Sequence, residues 1–131
     1  MSTNLVKIGT LKPIPPYNLA LTLDLLGRYA HFITDQTWDG AYWRALQQDG
    51  ELALLRVTQP EHDLIVEQVM STGAVNHDHL LQRIGHILSV DIDYEPFYAM
   101  AQQNSELWAV VEPLKGLHWL RTASVFEALM M

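Results

Sequence analysis

The chain has 131 residues, of which 49% are hydrophobic, and it contains no cysteine. This length and composition suit one compact domain with a real core, while the lack of cysteine excludes disulfides, thiolate metal sites and thiol catalysis. The net charge of −7 argues against binding of duplex DNA by this chain alone, because such binding rests largely on Lys and Arg neutralising phosphates.

The sequence gives no sign of a membrane protein or a secreted one. It contains no uninterrupted apolar run long enough to cross a bilayer. Residues 1–12 lack the apolar centre of a signal peptide, and a cysteine-free chain suits a reducing compartment. We therefore predict a cytoplasmic protein without a membrane partner.

The first thirty residues predict an edge segment followed by an ambiguous element. Residues 1–12 resemble a tail or an edge segment, in which Val6 and Ile8 give the only hint of a strand. Three prolines at 13, 15 and 16 then predict an extended, polyproline-like stretch, and Asn18 is a good helix N-cap. In residues 19–26 the leucines alternate, which indicates a strand, although Leu and Ala favour a helix. Both readings remain open.

The middle of the chain predicts an antiparallel meander of about four strands. The evidence is the enrichment in β-branched and aromatic residues and the turn signals between the runs. Asp49-Gly50 is the strongest of these signals, since this dipeptide favours a two-residue hairpin loop. The expected strands cover residues 31–34, 41–46, 51–58 and 64–70, with a polar turn at 35–40.

The rest of the chain predicts helices. Asn76 caps a helix over residues 77–90, whose apolar side chains share one face. Pro96 suits the first turn of a helix that ends at Gln102, and Ser105 is expected to cap the next, whose last turn Pro113 disturbs. The character changes near residue 91, so we expect two parts, 1–90 and 91–131.

The last stretch predicts a helix that needs a partner. Gly116 ends the preceding helix, and Ser124 with Glu127 forms a capping box. Phe126, Leu129 and Met130 then start an apolar helix face that has little of this chain left to cover it. We expect a further helical domain or another subunit to cover these three side chains.

Candidate catalytic and metal-binding patterns have simpler explanations. His77, His79 and His86 suit zinc or nickel by type, but no fourth ligand is placed by spacing, so we interpret them as a polar helix start and predict no metal. No serine lies in a G-x-S-x-G elbow, and no glycine-rich phosphate loop occurs. The acidic residues from Asp91 to Glu95 are interpreted as a hinge, and the tryptophans, including Trp119, as packing residues.

Three short motifs occur in a family-like order. Residues 15–18 read Pro-Pro-Tyr-Asn and residues 91–97 read Asp-Ile-Asp-Tyr-Glu-Pro-Phe. The third has Lys-Gly-Leu at 115–117, Arg-Thr at 121–122 and Phe-Glu-Ala-Leu at 126–129. Together, over about residues 13–131, they resemble the amino-terminal part of DNA-3-methyladenine glycosylase II and its relatives in the helix-hairpin-helix superfamily.

The resemblance implies an α+β fold, a TATA-binding-protein-like antiparallel β-meander packed with helices and followed by a short all-helical segment. It places a helix at residues 19–26. It also implies hydrolysis of the N-glycosidic bond to a flipped, alkylated purine, without metal or cofactor. The family's catalytic aspartate, DNA clamp and wedge residue correspond to no position up to Met131, so we expect a scaffold that is inactive alone and meets DNA only within a complete glycosylase.

The resemblance implies a role in contacting DNA for two residues. Leu25 falls at a wall of the base pocket, where an aromatic side chain would be expected for stacking on a flipped base. Arg121 lies near the crossing between domains and is expected to reach a DNA phosphate in a complete protein.

Two other classes of function remain as alternatives. The first is a stand-alone interaction or dimerisation module that uses Phe126, Leu129 and Met130. The second is a small-ligand or metal-binding protein, which would be recognised by a shift of the melting temperature with zinc.

Overall fold

The computed structural model describes residues 5–29, 35–121 and 129. Over these residues the protein is α+β, with a five-stranded antiparallel sheet and four α-helices. The elements in chain order are β1 Val6–Leu11, α1 Leu19–Tyr29, β2 Asp35–Trp38, β3 Ala41–Gln48, β4 Glu51–Thr58, β5 Leu64–Ser71, α2 His77–Ile87, α3 Glu95–Ala101, α4 Ser105–Val111 and a 3₁₀ turn Glu112–Leu114.

The described sheet contains three of the predicted strands and two others. Its order is β1-β5-β4-β3-β2, in which β3, β4 and β5 are the strands expected at 41–46, 51–58 and 64–70. β2 pairs with β3 in residues predicted to be a turn, and β1 adds to the free edge of β5. The segment before the prolines is thus an edge strand. Gly9 of β1 faces α2, and a Cβ at this position would lie 2.4 Å from Leu81 Cδ1. Glycine therefore allows the helix to approach β1 closely.

The polar turn expected at residues 35–40 is wrong. Asp35–Trp38 is the edge strand β2, and only Asp39 and Gly40 form the turn, both with positive φ. Asp49 and Gly50 repeat this geometry in the next hairpin. The sequence pattern does not predict β2, because an edge strand exposed to solvent lacks the alternation of apolar and polar residues that marks a half-buried strand. The strand expected at residues 31–34 lies outside the described residues.

The ambiguous run after Asn18 is the helix α1. Asn18 caps it as expected, since its Oδ1 accepts a hydrogen bond from the backbone nitrogen of Leu21 at 3.0 Å. Leu19 and Leu23 are buried one turn apart, whereas Asp24 is exposed. The leucines at alternate positions therefore reflect a helix buried on one side and partly buried on its flanks. The preceding prolines lie in irregular structure with a cis Pro15–Pro16 bond.

The main core lies between one face of the sheet and the helices α1 and α2. Its buried members come from these helices and from strands β3 to β5: Leu19, Leu23, Tyr42, Leu46, Ala53, Leu55, Val57, Leu64, Val66, Leu80, Ile84, Ile87 and Leu88. On the opposite face, a row of paired residues runs across four strands: Lys7, Glu67, Arg56 and Trp43. Arg56 donates to Glu67 at 2.8 Å and lies 5.8 Å from the centre of the Trp43 ring.

The helices α3 and α4 enclose a second, smaller core. Its buried residues are Tyr98, Ala101 and Val111, with Tyr94 and Trp108 packed against them. The helix α3 begins as expected, with Pro96 in its first turn. The expected cap of α4 is wrong by one residue, because Asn104 rather than Ser105 accepts the backbone bonds. The division of the chain near residue 91 stays a prediction.

The last predicted helix falls mostly outside the described residues. This applies to its capping box at Ser124 and Glu127 and to two of its three apolar side chains, Phe126 and Met130. Leu129 is described and is 78% exposed. Within the described part of the chain, none of the helices has the length and apolarity needed to cross a membrane.

Candidate functional site

His118 lies at the centre of a junction between distant parts of the chain. Its side chain is 1% exposed, with Nδ1 2.7 Å from the Ser89 carbonyl oxygen and Nε2 3.0 Å from that of Pro16. Carbonyl oxygens only accept, so the ring makes both bonds only when each nitrogen carries a proton. The backbone nitrogen of His118 also donates to Thr22 Oγ1 at 3.1 Å. One residue thus joins the proline segment, α1 and the end of α2.

Two tyrosine rings flank the His118 ring. The Tyr17 ring lies 4.4 Å away and the Tyr94 ring 4.8 Å away in an edge-on arrangement, as measured between ring centres. The Tyr17 hydroxyl donates to the Leu88 carbonyl oxygen at 2.8 Å. Burial raises the pKa of this hydroxyl well above its ordinary value, and the nearby Tyr94 adds to the rise. Tyr17 therefore remains a neutral hydrogen-bond donor at physiological pH.

The backbone that ends α2 forms one side of this junction. Ser89 has a φ of 57°, and the backbone nitrogens of Ser89 and Val90 donate to the His86 and Gly85 carbonyl oxygens. These two bonds form a Schellman motif, which ends a helix and usually carries glycine at the left-handed position. Here the serine hydroxyl donates to the Trp119 carbonyl oxygen at 2.6 Å, a contact that glycine could not make. The motif also explains why α2 ends at Ile87 rather than at the predicted residue 90.

Arg121 lies beside the junction and is held within the chain. Its Nε donates to Ser89 Oγ at 3.1 Å, its Nη1 donates to His86 Nδ1 at 2.9 Å, and its Nη2 forms an ion pair with Asp91. Its backbone nitrogen donates to the Ile87 carbonyl oxygen at 2.8 Å. The guanidinium therefore fastens the segment after Trp119 to the end of α2.

The three motifs of the resemblance meet at this junction. Tyr17 of the first motif and Tyr94 of the second contact the His118 ring, which follows the Lys-Gly-Leu of the third. The Gly116 carbonyl oxygen accepts from the backbone nitrogen of Asn18 at 2.8 Å. Gly116 has a φ of +98°, and a Cβ there would lie 3.0 Å from Asn18 Cβ, so glycine is required both for the turn and for the close approach.

The other predicted site residues lie apart from one another. Leu25 is partly buried in α1. His77 contacts Gln68, His79 contacts Gln48 and His86 contacts Arg121. Over the described ranges, no three His, Asp or Glu side chains converge in a group that could hold a metal ion.

An apolar groove lies between α3, α4 and the segment that leads to His118. Its volume is about 410 Å³, and its lining includes Tyr94, Phe97, Tyr98, Leu114, Leu117 and Trp119. Several large apolar side chains on and beside α3 and α4 are exposed, and we name this set the α3–α4 face: Phe97, Met100, Leu107, Val110, Leu114 and Trp119. Val110 is 65% exposed and Trp119 is 64% exposed.

Comparison with known proteins identifies a structural neighbour. No family model matches the chain, and no curated protein matches it by sequence. Its structure is similar to that of a 3-methyladenine DNA glycosylase from Archaeoglobus fulgidus, with a TM-score of 0.70 and 17% sequence identity. The match covers 92% of this chain and 42% of that protein. This chain has a glycosylase-like fold.

Sequence reasoning missed the residue at the centre of the junction. His118 stands between apolar neighbours a few residues after a glycine, and no spacing pattern marks such a histidine as buried. Its partner Pro16 lies 102 residues away in the chain. The nearest signal was the set of three motifs, because they mark the segments that meet around His118.

Proposed function

We propose that this chain is the amino-terminal, non-catalytic scaffold of a base-excision-repair DNA glycosylase that acts on alkylated purines. The observation that carries this proposal is the fold likeness, which spans 92% of this chain but only 42% of the glycosylase. The proposal includes a TATA-binding-protein-like architecture for residues 1–90. It assigns base removal to a helix-hairpin-helix part that the 131 residues do not include.

The electrostatics of the chain support a scaffold role. The net charge is −7, and several basic side chains are already engaged. Arg44 is 4% exposed, Arg56 pairs with Glu67, and Arg83 donates to the Gln47 carbonyl oxygen. A surface that binds duplex DNA needs several Lys or Arg free to neutralise phosphates. In this proposal the rest of the glycosylase supplies most of them.

Arg121 and Leu25 have minor roles in the proposed glycosylase. A guanidinium has five N–H donors, and three of those of Arg121 bond to Ser89, His86 and Asp91. The other two are compatible with a contact to one phosphate at the side of the junction. Leu25 would offer apolar contact at the wall of the base pocket, without the stacking that an aromatic ring gives.

The proposal is tested by assaying release of alkylated bases from methylated duplex DNA. We expect the 131-residue chain to release no base above the buffer control, because it supplies neither the catalytic carboxylate nor the DNA clamp. Base release that co-purifies with the chain would overturn the scaffold assignment. An active glycosylase from another source serves as the positive control for the substrate.

A second experiment tests whether these residues belong to a larger native protein. An antibody raised against the chain would measure the mass of the native protein in its source cells. The proposal expects a band well above the 14.9 kDa of these residues. A band at that mass would overturn the proposal and favour a stand-alone protein.

The alternative is a stand-alone interaction module, which one observation favours. Leu129, near the end of the chain, is 78% exposed. In this alternative Phe126, Leu129 and Met130 bind a partner or a second copy.

A further inference from the structure

The polar environment of the His118 ring suits an imidazolium better than a neutral imidazole. Nδ1 lies 2.7 Å from the Ser89 carbonyl oxygen and Nε2 lies 3.0 Å from the Pro16 carbonyl oxygen. A neutral ring has one N–H donor, so one of these oxygens would face the lone pair of a ring nitrogen. The side chain is 1% exposed, so water has little access to the ring nitrogens. Only a ring with a proton on each nitrogen makes both bonds.

The two ring contacts differ in length and in what they join. The contact of Nδ1 with Ser89 has the length of a charge-assisted hydrogen bond, whereas the contact of Nε2 with Pro16 is longer. Pro16 is also 102 residues away in the chain. We therefore expect a ring that loses one proton to keep the proton on Nδ1 and to lose the one on Nε2. The bond to the proline segment then depends on the second proton.

Side chains from several segments contact or bond to His118. The hydroxyl-bearing ones come from the proline segment, α1, the end of α2 and the segment before α3: Tyr17, Thr22, Ser89 and Tyr94. Burial raises the pKa of the Tyr17 hydroxyl, so Tyr17 stays neutral. Arg121 bonds to the Ser89 hydroxyl, and Asp91 pairs with this guanidinium. Over the described residues, the hydrogen-bond partners of the His118 ring are two carbonyl oxygens rather than a carboxylate.

We propose that His118 is a proton-dependent link between the proline segment, the end of α2 and the segment after Gly116. With both ring nitrogens protonated, His118 joins all three. Loss of the Nε2 proton leaves the ring nitrogen and the Pro16 oxygen facing one another as two acceptors, so this bond is lost. The junction is therefore held more tightly in acid than in alkali. The proposal concerns the junction alone and does not depend on the glycosylase proposal.

NMR of the histidine rings in the folded, ¹⁵N-labelled chain tests the protonation state. Two-bond ¹H–¹⁵N correlations distinguish an imidazolium from either neutral tautomer, and contacts with the Tyr17 and Tyr94 rings identify the His118 signals. From roughly pH 5 to 9, a range that spans the ordinary titration of histidine, we expect His118 to pass from the imidazolium to the neutral ring protonated on Nδ1.

Three NMR results would each overturn the proposal. They are a neutral ring at the acid end of this range, an imidazolium that persists to the alkaline end, and a neutral ring protonated on Nε2. The measurement needs only the unaltered chain, so it decides the question even if a variant of His118 does not fold.

Urea unfolding over the same pH range tests whether the proton stabilises the fold. His118→Gln has a neutral side chain at every pH. A proton that the folded chain holds more tightly than the unfolded chain stabilises the fold in acid, and this stabilisation is lost as the pH rises. We expect the unfolding midpoint of the unaltered chain to exceed that of His118→Gln most in acid, and the difference to shrink as the pH rises. A difference that is constant or grows with pH would contradict the proposal.

His62→Gln is the matched control, because His62 is exposed in a loop away from the junction. Its unfolding midpoint is expected to follow that of the unaltered chain at every pH. The same pH-dependent difference in His62→Gln as in His118→Gln would show that the effect does not come from the junction.

Discussion

Individual residues at the junction join segments that are far apart in the chain. His118 contacts carbonyl oxygens from the proline segment and from the end of α2, and its ring packs between two tyrosine rings. A buried carbonyl oxygen that loses its donor remains desolvated but no longer accepts a hydrogen bond, which destabilises the folded state. This residue is therefore expected to contribute more to stability than any single surface contact.

We expect His118→Ala to lower the free energy of unfolding by about 2–4 kcal/mol, because it leaves a cavity and removes a ring N–H that donates to a backbone carbonyl oxygen in the junction. Urea denaturation followed by circular dichroism measures the change. His62→Ala, at an exposed loop position, is the control and should change stability by no more than about 0.5 kcal/mol. Equal stability of the two variants would show that the junction contributes little.

The buried Tyr17 hydroxyl predicts a loss of stability in alkali. Burial raises its pKa in the folded state above the ordinary value of 10.0, so the folded chain holds the proton more tightly than the unfolded chain. The resulting stabilisation is fully present below pH 10 and is lost as the pH rises toward the folded-state pKa.

Urea unfolding of the unaltered chain and of Tyr17→Phe should therefore differ in pH dependence. The unaltered chain is expected to lose stability more steeply above pH 10. At neutral pH, Tyr17→Phe should be about 1 kcal/mol less stable, since it lacks the hydrogen bond to Leu88. Parallel stability curves above pH 10 would contradict a raised pKa for Tyr17.

At the scale of elements, helix ends depend on local contacts that the structure resolves to single residues. Asn104 Oδ1 accepts from the backbone nitrogens of Glu106 and Leu107 at 3.0 and 3.2 Å, whereas Ser105 is the first residue of α4. Asn and Ser are both good caps, so composition did not distinguish the two neighbouring positions.

The corrected cap yields a matched pair of variants. Asn104→Ala is expected to destabilise α4 by about 1 kcal/mol because two backbone donors lose their acceptor. Ser105→Ala should change stability by no more than about 0.5 kcal/mol. Thermal denaturation measures both changes. A larger loss of stability for Ser105→Ala than for Asn104→Ala would indicate that Ser105, as the sequence predicts, is the cap of α4.

At the scale of the whole molecule, the net negative charge of the chain opposes its binding to DNA. The net charge of −7 makes approach to a polyanion unfavourable. The glycosylase-like fold alone does not make the chain a DNA-binding protein, because fold and function are separate properties.

We expect a fluorescently labelled, alkylated duplex to show no saturable binding to the chain at physiological salt. The dissociation constant should be weaker than about 10⁻⁴ M, the weak end of non-specific binding. Fluorescence anisotropy measures it, and Arg121→Gln should give the same result as the unaltered chain. Tight binding that weakens steeply with salt would reveal a phosphate-binding surface and contradict this expectation.

The sequence alone determined most of the local structure. Asn18 and Asn76 cap their helices as predicted, and Asp49-Gly50 forms the predicted turn. Caps and tight turns involve residues within four positions of one another, so short patterns contain the information. The same dipeptide type, Asp39-Gly40, also forms a tight turn, whereas the sequence predicts a longer polar turn over residues 35–40. The resemblance drawn from three motifs also led to the glycosylase-like fold.

Only the tertiary structure decided which distant segments meet. The pairing of β1 with β5 and the burial of His118 against Pro16 and Ser89 both depend on contacts between residues far apart in sequence. Such contacts depend on how whole elements pack, and a single sequence holds no periodic signal for them. The chain therefore specifies its helices and turns locally, whereas the junction around His118 arises from the assembled fold.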